Sequence, residues 1–283
     1  MYTKDEIIEK IYALFKAISE LGTKALGYGN LSDDDVVSKV NDIAKNAITP
    51  VAAVLFSLFA ISQLYKIMSY MNDIGAPQGG SARIETVGFS LAKIGFIYWV
   101  IKKLSTMMWG LSEVGVYLIS LIGKEGGAET DQKLAELRPT IEYVVNDTVP
   151  DKLQLWDSVG IFLLLLIAEL TVAIVGVVVF VLFYGRMLQL YIMVALAPIP
   201  LTTFIHDEQK QIGINFIKSF AAVVLQGGIM MALIYLYSTI SWTNIIPQDT
   251  YTGMVWGVIG IAVLLTAALA TSGSLSRRIV NAM

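Results

Sequence analysis

The stretch SFAAVVLQGGIMMALIYLYSTISWTNIIPQ, residues 219–248, decides the fold, because it contains no Asp, Glu, Lys, Arg or His. A second uncharged run, TYTGMVWGVIGIAVLLTAALATSGSLS, occupies residues 250–276. About 20 apolar residues cross a bilayer as a helix, so either run can span a membrane. Of the 283 residues, 55% are hydrophobic and 15% charged, against about 25% charged in an average soluble domain. The composition excludes a soluble globular enzyme.

The same reasoning predicts further spans. The fold class that we predict is therefore an all-α, polytopic integral membrane protein. Residues 86–122 are largely apolar but charged in places, which favours one long or bent crossing and leaves two short crossings open. The spans divide the chain into a first membrane half, 46–123, and a second, 157–283. The five predicted transmembrane helices cover about 46–68, 86–122, 157–185, 212–241 and 251–273.

Two segments outside the spans are polar or amphipathic. In residues 1–45, Ile7, Ile11, Phe15 and Ile18 recur at helical spacing between charged residues, which predicts an amphipathic N-terminal helical segment. This segment either packs on its own protein or lies at the lipid interface. Residues 124–156 are a mainly acidic insert, with a short amphipathic helix and Pro139 as a candidate break.

Between two of the spans, residues 187–205 are uncharged but contain Ala-Pro-Ile-Pro at 197–200. Pro198 and Pro200 lack backbone N–H groups and obstruct a continuous helix, so we predict a helix break inside or at the edge of the membrane. His206 follows in a polar turn. A metal site needs more converging ligands, so we interpret His206 as a solvated turn residue.

The orientation follows from the preference of Lys and Arg for the cytoplasmic side of short loops. Arg277 and Arg278 place the C-terminus in the cytoplasm, and counting back puts Arg186 inside as well. The insert 124–156 and the N-terminus are then outside. We expect a multi-pass protein of the cell (cytoplasmic) membrane, in contact with its lipid bilayer.

Five ionisable side chains lie along the predicted spans: Lys93, Lys102, Lys103, Glu113 and Glu169. A charge in mid-bilayer costs about 2.5–3.5 kcal/mol on insertion scales, so these groups must face protein, water or headgroups. Lys102 and Glu113 fall on one helical stripe. We expect all five charged side chains to line a subunit interface or a channel in a homo-oligomeric ring. Five copies is one arrangement of such a ring.

No motif for catalysis, cofactor binding or metal binding is present. The chain has no cysteine and one histidine, and it lacks a Gly-rich phosphate loop and the usual hydrolase signatures. We therefore expect no enzyme, no cofactor and no metal. Gly253 and Gly257 form a Gly-x-x-x-Gly pattern, which predicts close helix packing.

Two adjacent stretches carry a family resemblance: RMLQLYIMVALAPIPLTTF at 186–204 and INFIKSFAAVVLQGGIMMALIYLY at 214–237. Together they resemble the TrbL family, the polytopic membrane components of conjugative type IV secretion systems, especially the Gram-positive ones, over roughly 156–278. The resemblance implies a non-enzymatic channel or assembly-platform subunit. Its expected partners are other secretion-machine subunits, ATPases that supply the energy, and transiently a translocated DNA–protein substrate.

Other classes of function remain open from the residues themselves. Glu113 and Glu169 could serve as coupling carboxylates in an ion- or proton-coupled small-solute transporter. A membrane-bound immunity or signalling protein is a third interpretation. Neighbouring genes for an ATPase, a coupling protein and a relaxase would favour conjugation over both.

Overall fold

The computed structural model describes residues 3–28, 34–73, 80–150, 155–239 and 249–281, and within these ranges the regular structure is entirely helical. Five of its helices are long and apolar enough to cross a membrane, which confirms the predicted all-α polytopic class. The α-helices are α1 (Lys4–Ser19), α2 (Leu21–Tyr28), α3 (Asp34–Ile43), α4 (Thr49–Asp73), α5 (Gly80–Thr148), α6 (Leu155–Leu196), α7 (Pro198–Thr202), α8 (Lys210–Thr239) and α9 (Tyr251–Val280).

The N-terminal helix α1 begins with a capping box. The Thr3 hydroxyl accepts a hydrogen bond from the Glu6 backbone N–H at 3.3 Å, and the Thr3 N–H donates to Glu6 Oε2 at 2.9 Å. The apolar stripe of α1 is buried, with Ile7 and Ile11 fully covered. This burial favours packing on its own protein over the alternative of a helix at the lipid interface.

The helix α3 continues into α4 through a π-helical segment, Ala44–Ile48. The candidate span covers Asp35–Ser69, and so begins about three turns before the predicted 46–68. Most side chains in its apolar window are exposed, as expected for a helix that faces lipid.

The long helix α5 continues through Pro139, where the sequence offered a break. A proline inside a helix costs about 3 kcal/mol or more, because it removes one backbone hydrogen bond and crowds the preceding turn. The turns on either side bury Leu137 and Ile141, and Arg138 bonds to Glu9 of α1 at 2.5 Å. The helix therefore has no break at Pro139, and the amphipathic residues predicted to form a short helix belong to α5 itself.

The segment with two prolines follows α6 directly. Helix α6 ends at Leu196, α7 begins at Pro198, and a 3₁₀ turn, Thr203–Ile205, completes the segment. Ala197, between the two helices, keeps helical dihedral angles, φ −51° and ψ −36°. The interruption therefore lies in the backbone hydrogen bonds that Pro198 and Pro200 cannot donate, with little change of dihedral angles at Ala197.

The chain divides into two compact units. Unit 1 comprises Met1–Asn30, Gly115–Arg186 and Leu225–Leu275, and unit 2 comprises Leu31–Val114, Met187–Val224 and Ser276–Met283. In unit 1, α1 and the described parts of α5, α6, α8 and α9 share one apolar core that includes Phe15, Phe183 and Met230. In unit 2, α4 packs against α7 and the 3₁₀ turn.

Candidate functional site

A polar turn in unit 2 follows the proline segment and leads into α8. His206 leaves the helical region, with φ −94° and ψ 119°, and its carbonyl accepts hydrogen bonds from the backbone N–H groups of Gln209 and Lys210. Two acidic side chains, Asp207 and Glu208, project from this turn. Both residues directly follow His206, where the backbone leaves the helical region.

Three basic or amide side chains from α4 and α5 bond to these carboxylates. Lys93 Nζ lies 2.7 Å from Asp207 Oδ1, Gln63 Nε2 donates to Asp207 Oδ2 at 2.9 Å, and Lys66 pairs with Glu208. We call Gln63, Lys66, Lys93, Asp207 and Glu208 the turn cluster. It joins two membrane helices to the turn that connects the proline segment with α8.

The electrostatics of the turn cluster favour the ionised carboxylates. The hydrogen bond from Lys93 lowers the pKa of Asp207, against a smaller opposing effect of burial, and Gln63 adds to the lowering. The hydrogen bond and charge of Lys66 lower the pKa of the fully exposed Glu208. Both groups are therefore negative at neutral pH, and the cluster neutralises Lys93, one of the five charges predicted along the spans.

His206 corrects an expectation from the sequence. Its side chain is only 9% exposed, and its ring centroid lies 6.4 Å from that of Phe59 on α4. The prediction of a solvated turn histidine is wrong, because α4 covers the turn. Nothing in the neighbouring sequence indicates this contact.

The other predicted charged residues lie in different surroundings and form no common site. In unit 1, Lys10 of α1 pairs with Glu169 at 2.6 Å, with both side chains half-exposed. In unit 2, Lys102 lies 4.9 Å from the centroid of the Tyr98 ring. Glu113 and Lys103 are exposed on α5 and form no ion pair within the described part of the chain. Their predicted roles in an interface or a channel remain predictions.

Unit 1 contains a polar layer that the sequence did not reveal. Arg186, within the candidate span of α6, is 2% exposed, whereas the sequence placed it at a membrane boundary. A Cβ atom at Gly227 would lie 2.0 Å from Arg186 Nη1, so any larger residue there requires the guanidinium to shift. Nearby, Gln226 Nε2 donates to Ser272 Oγ at 3.4 Å. We call these four residues the arginine layer.

The glycines of α9 differ among themselves. Gly253 and Gly257 are half-buried, and their predicted role in helix packing remains a prediction. Gly260, one turn further on, faces open space. Among the described residues, no group of three His, Asp or Glu side chains could hold a metal ion.

Comparison with known proteins identifies one family. The family model described as TrbL/VirB6 plasmid conjugal transfer like protein matches residues 29–198, more than half of the chain. The matched region extends from before α3 to the first of the two prolines, and so lies further towards the N-terminus than the motifs that carry the resemblance in the sequence. No curated protein and no solved structure matches the chain.

Proposed function

Because the chain belongs to the TrbL/VirB6 plasmid conjugal transfer-like family, we propose that it is a membrane channel or assembly-platform subunit of a conjugative type IV secretion apparatus. It helps to translocate a DNA–protein substrate across the cell membrane. The family match carries this proposal, and the five helices able to cross a membrane support it. The energy would come from partner ATPases, since the sequence has no nucleotide-binding motif.

We propose that several copies form a ring in which Glu113 of α5 lies at a subunit interface or along a central path. Lys93 and Glu169 have partners within the chain, Asp207 and Lys10, whereas Glu113 is exposed within the candidate span Thr106–Lys124. A lipid-facing charge costs about 2.5–3.5 kcal/mol. Contact with a lysine of a neighbouring copy, or with water along a central path, removes most of that cost.

The substitution Glu113→Leu tests the ring. We expect it to weaken self-association about tenfold, equivalent to about 1.4 kcal/mol, and to lower transfer in a mating assay. Asp249→Asn is the matched control, because Asp249 is exposed and precedes α9, outside its span. Native mass spectrometry in detergent gives the oligomer mass. A wild-type monomer that supports normal transfer would overturn the ring.

The orientation we propose has the N-terminus outside and the C-terminus in the cytoplasm. The C-terminal end of α9 carries Arg277 and Arg278, and in unit 2 the Nζ of Lys218 contacts the backbone oxygen of Asn281 at 3.4 Å. Positive charges therefore collect where the last helix ends, which supports a cytoplasmic location for that end.

The geometry of Glu169 does not support its role in the transporter alternative. A coupling carboxylate must bind and release a proton or a cation. Glu169 instead accepts a hydrogen bond from Lys10 at 2.6 Å, an arrangement typical of a structural ion pair between two helices.

A further inference from the structure

A pocket of about 650 Å³ lies within unit 2 and has no role in the proposed function. It is formed by the π-helical segment Ala44–Ile48 together with α3, α4, α5, the end of α6 and the first residue of α7. One wall is apolar and aromatic, with Phe56, Tyr98, Ile101 and Val194. The volume is in the range typical of ligand sites, and the half-exposed Tyr98 shows that the pocket opens at the surface.

Two cations line this pocket, Lys45 and Lys102. No Asp or Glu is among the described residues that line it, and neither lysine forms an ion pair within the described part of the chain. Lys102 instead lies over the face of the Tyr98 ring, which compensates only part of its charge. Lys45 sits in the π-helical turn, a local helix form that is frequent at functional sites.

The position of the pocket across the membrane follows from distances along the helices. Lys45 precedes Lys66 by 21 residues, which corresponds to about 31 Å of helix, and Lys66 pairs with Glu208 in the polar turn. Since the hydrocarbon core is about 30 Å thick, Lys45 lies near the membrane surface opposite the turn. Lys102 follows Lys93 by nine residues, which corresponds to about 14 Å of helix, and precedes the candidate span Thr106–Lys124.

We infer that this pocket binds one anionic phospholipid from the leaflet opposite the polar turn. The phosphate headgroup lies at the Lys45 end, and the acyl chains follow the apolar wall of Phe56, Tyr98 and Ile101. Two cations at an apolar, membrane-facing pocket require a negative counter-group, and basic pockets between transmembrane helices bind acidic headgroups. A zwitterionic lipid brings no net negative charge to the pocket, whereas an anionic phospholipid brings at least one.

The experiment uses the full-length protein in detergent, titrated with dioleoyl phosphatidylglycerol or dioleoyl phosphatidylcholine and observed by native mass spectrometry. We expect one phosphatidylglycerol to be retained in preference to phosphatidylcholine. Lys45, which lies at the headgroup, contributes about fivefold to that preference, so Lys45→Gln with Lys102→Gln abolishes it, and the two arginine substitutions retain it. Lys39→Gln, an exposed lysine of α3 outside the pocket, is the matched control and leaves the preference unchanged.

A second variant tests the pocket itself. Ala53→Phe fills the space beside Phe56 while both lysines remain, so it should remove the retained lipid, and circular dichroism checks that the variant is folded. Equal retention of the two lipids by the wild type, or an unchanged preference in Ala53→Phe, would overturn the site. The inference is independent of the ring, because Glu113→Leu should change the oligomer mass and leave the lipid preference intact.

Discussion

Gly227→Ala should destabilise the protein mainly through its approach to Arg186 in the arginine layer, and secondarily through its approach to Ile119. The added Cβ would lie 2.0 Å from Nη1 and 2.4 Å from Cζ of Arg186, and 2.7 Å from Cδ1 of Ile119. Ordinary contact distances are about 3.5–4.0 Å, so the guanidinium must move by about 1.5 Å. Arg186 is almost fully buried, and overpacking at a buried site costs about 1–3 kcal/mol.

The control for this prediction is another glycine within a membrane helix. A Cβ added at Gly260 would have no neighbouring atom within 4 Å, so Gly260→Ala should stabilise by up to about 1 kcal/mol through helix propensity alone. The assay is unfolding by a denaturing detergent, followed by circular dichroism. In the background of Arg186→Met, the cost of Gly227→Ala should largely vanish. The same effect of Gly227→Ala and Gly260→Ala on stability would refute the steric conflict with Arg186.

Three further predictions concern the other charged contacts and the orientation. Asp207→Asn should lower the thermal midpoint of unfolding at pH 7. Because the pKa of Asp207 is lowered in the folded state, the stability that its carboxylate contributes is present above the ordinary carboxyl pKa and is lost on acidification. The thermal midpoints of variant and wild type should therefore converge when measured towards pH 3. Lys10→Glu and Glu169→Lys should each destabilise the protein by about 1 kcal/mol or less, because the ion pair is half-exposed. The double variant with both charges exchanged should regain stability in a double-mutant cycle, and no regain would contradict the pairing. In the cysteine-free chain, Thr130→Cys should be labelled by an impermeant thiol reagent in intact cells and Asn281→Cys only after lysis; the reverse pattern would invert the proposed orientation.

The amino-acid sequence by itself determined the all-α, polytopic fold class. In uncharged runs such as 219–239, a helix across the bilayer is the stable arrangement, because the hydrocarbon core provides no partners for free backbone groups. The helical spacing of Ile7, Ile11 and Phe15 likewise predicts the stripe that α1 buries. These signals are local, so they can be read without knowledge of the tertiary structure.

Only the tertiary structure decided which charged and polar groups meet. Lys93 and Asp207 are 114 residues apart, and Lys10 and Glu169 are 159 apart, so no local periodicity indicates either pair. The burial of His206 under Phe59 and the space that Gly227 leaves for Arg186 depend on helices from distant parts of the chain. Hydrophobicity selects the segments that enter the membrane, whereas the partners of their polar side chains are set by how those helices pack against one another.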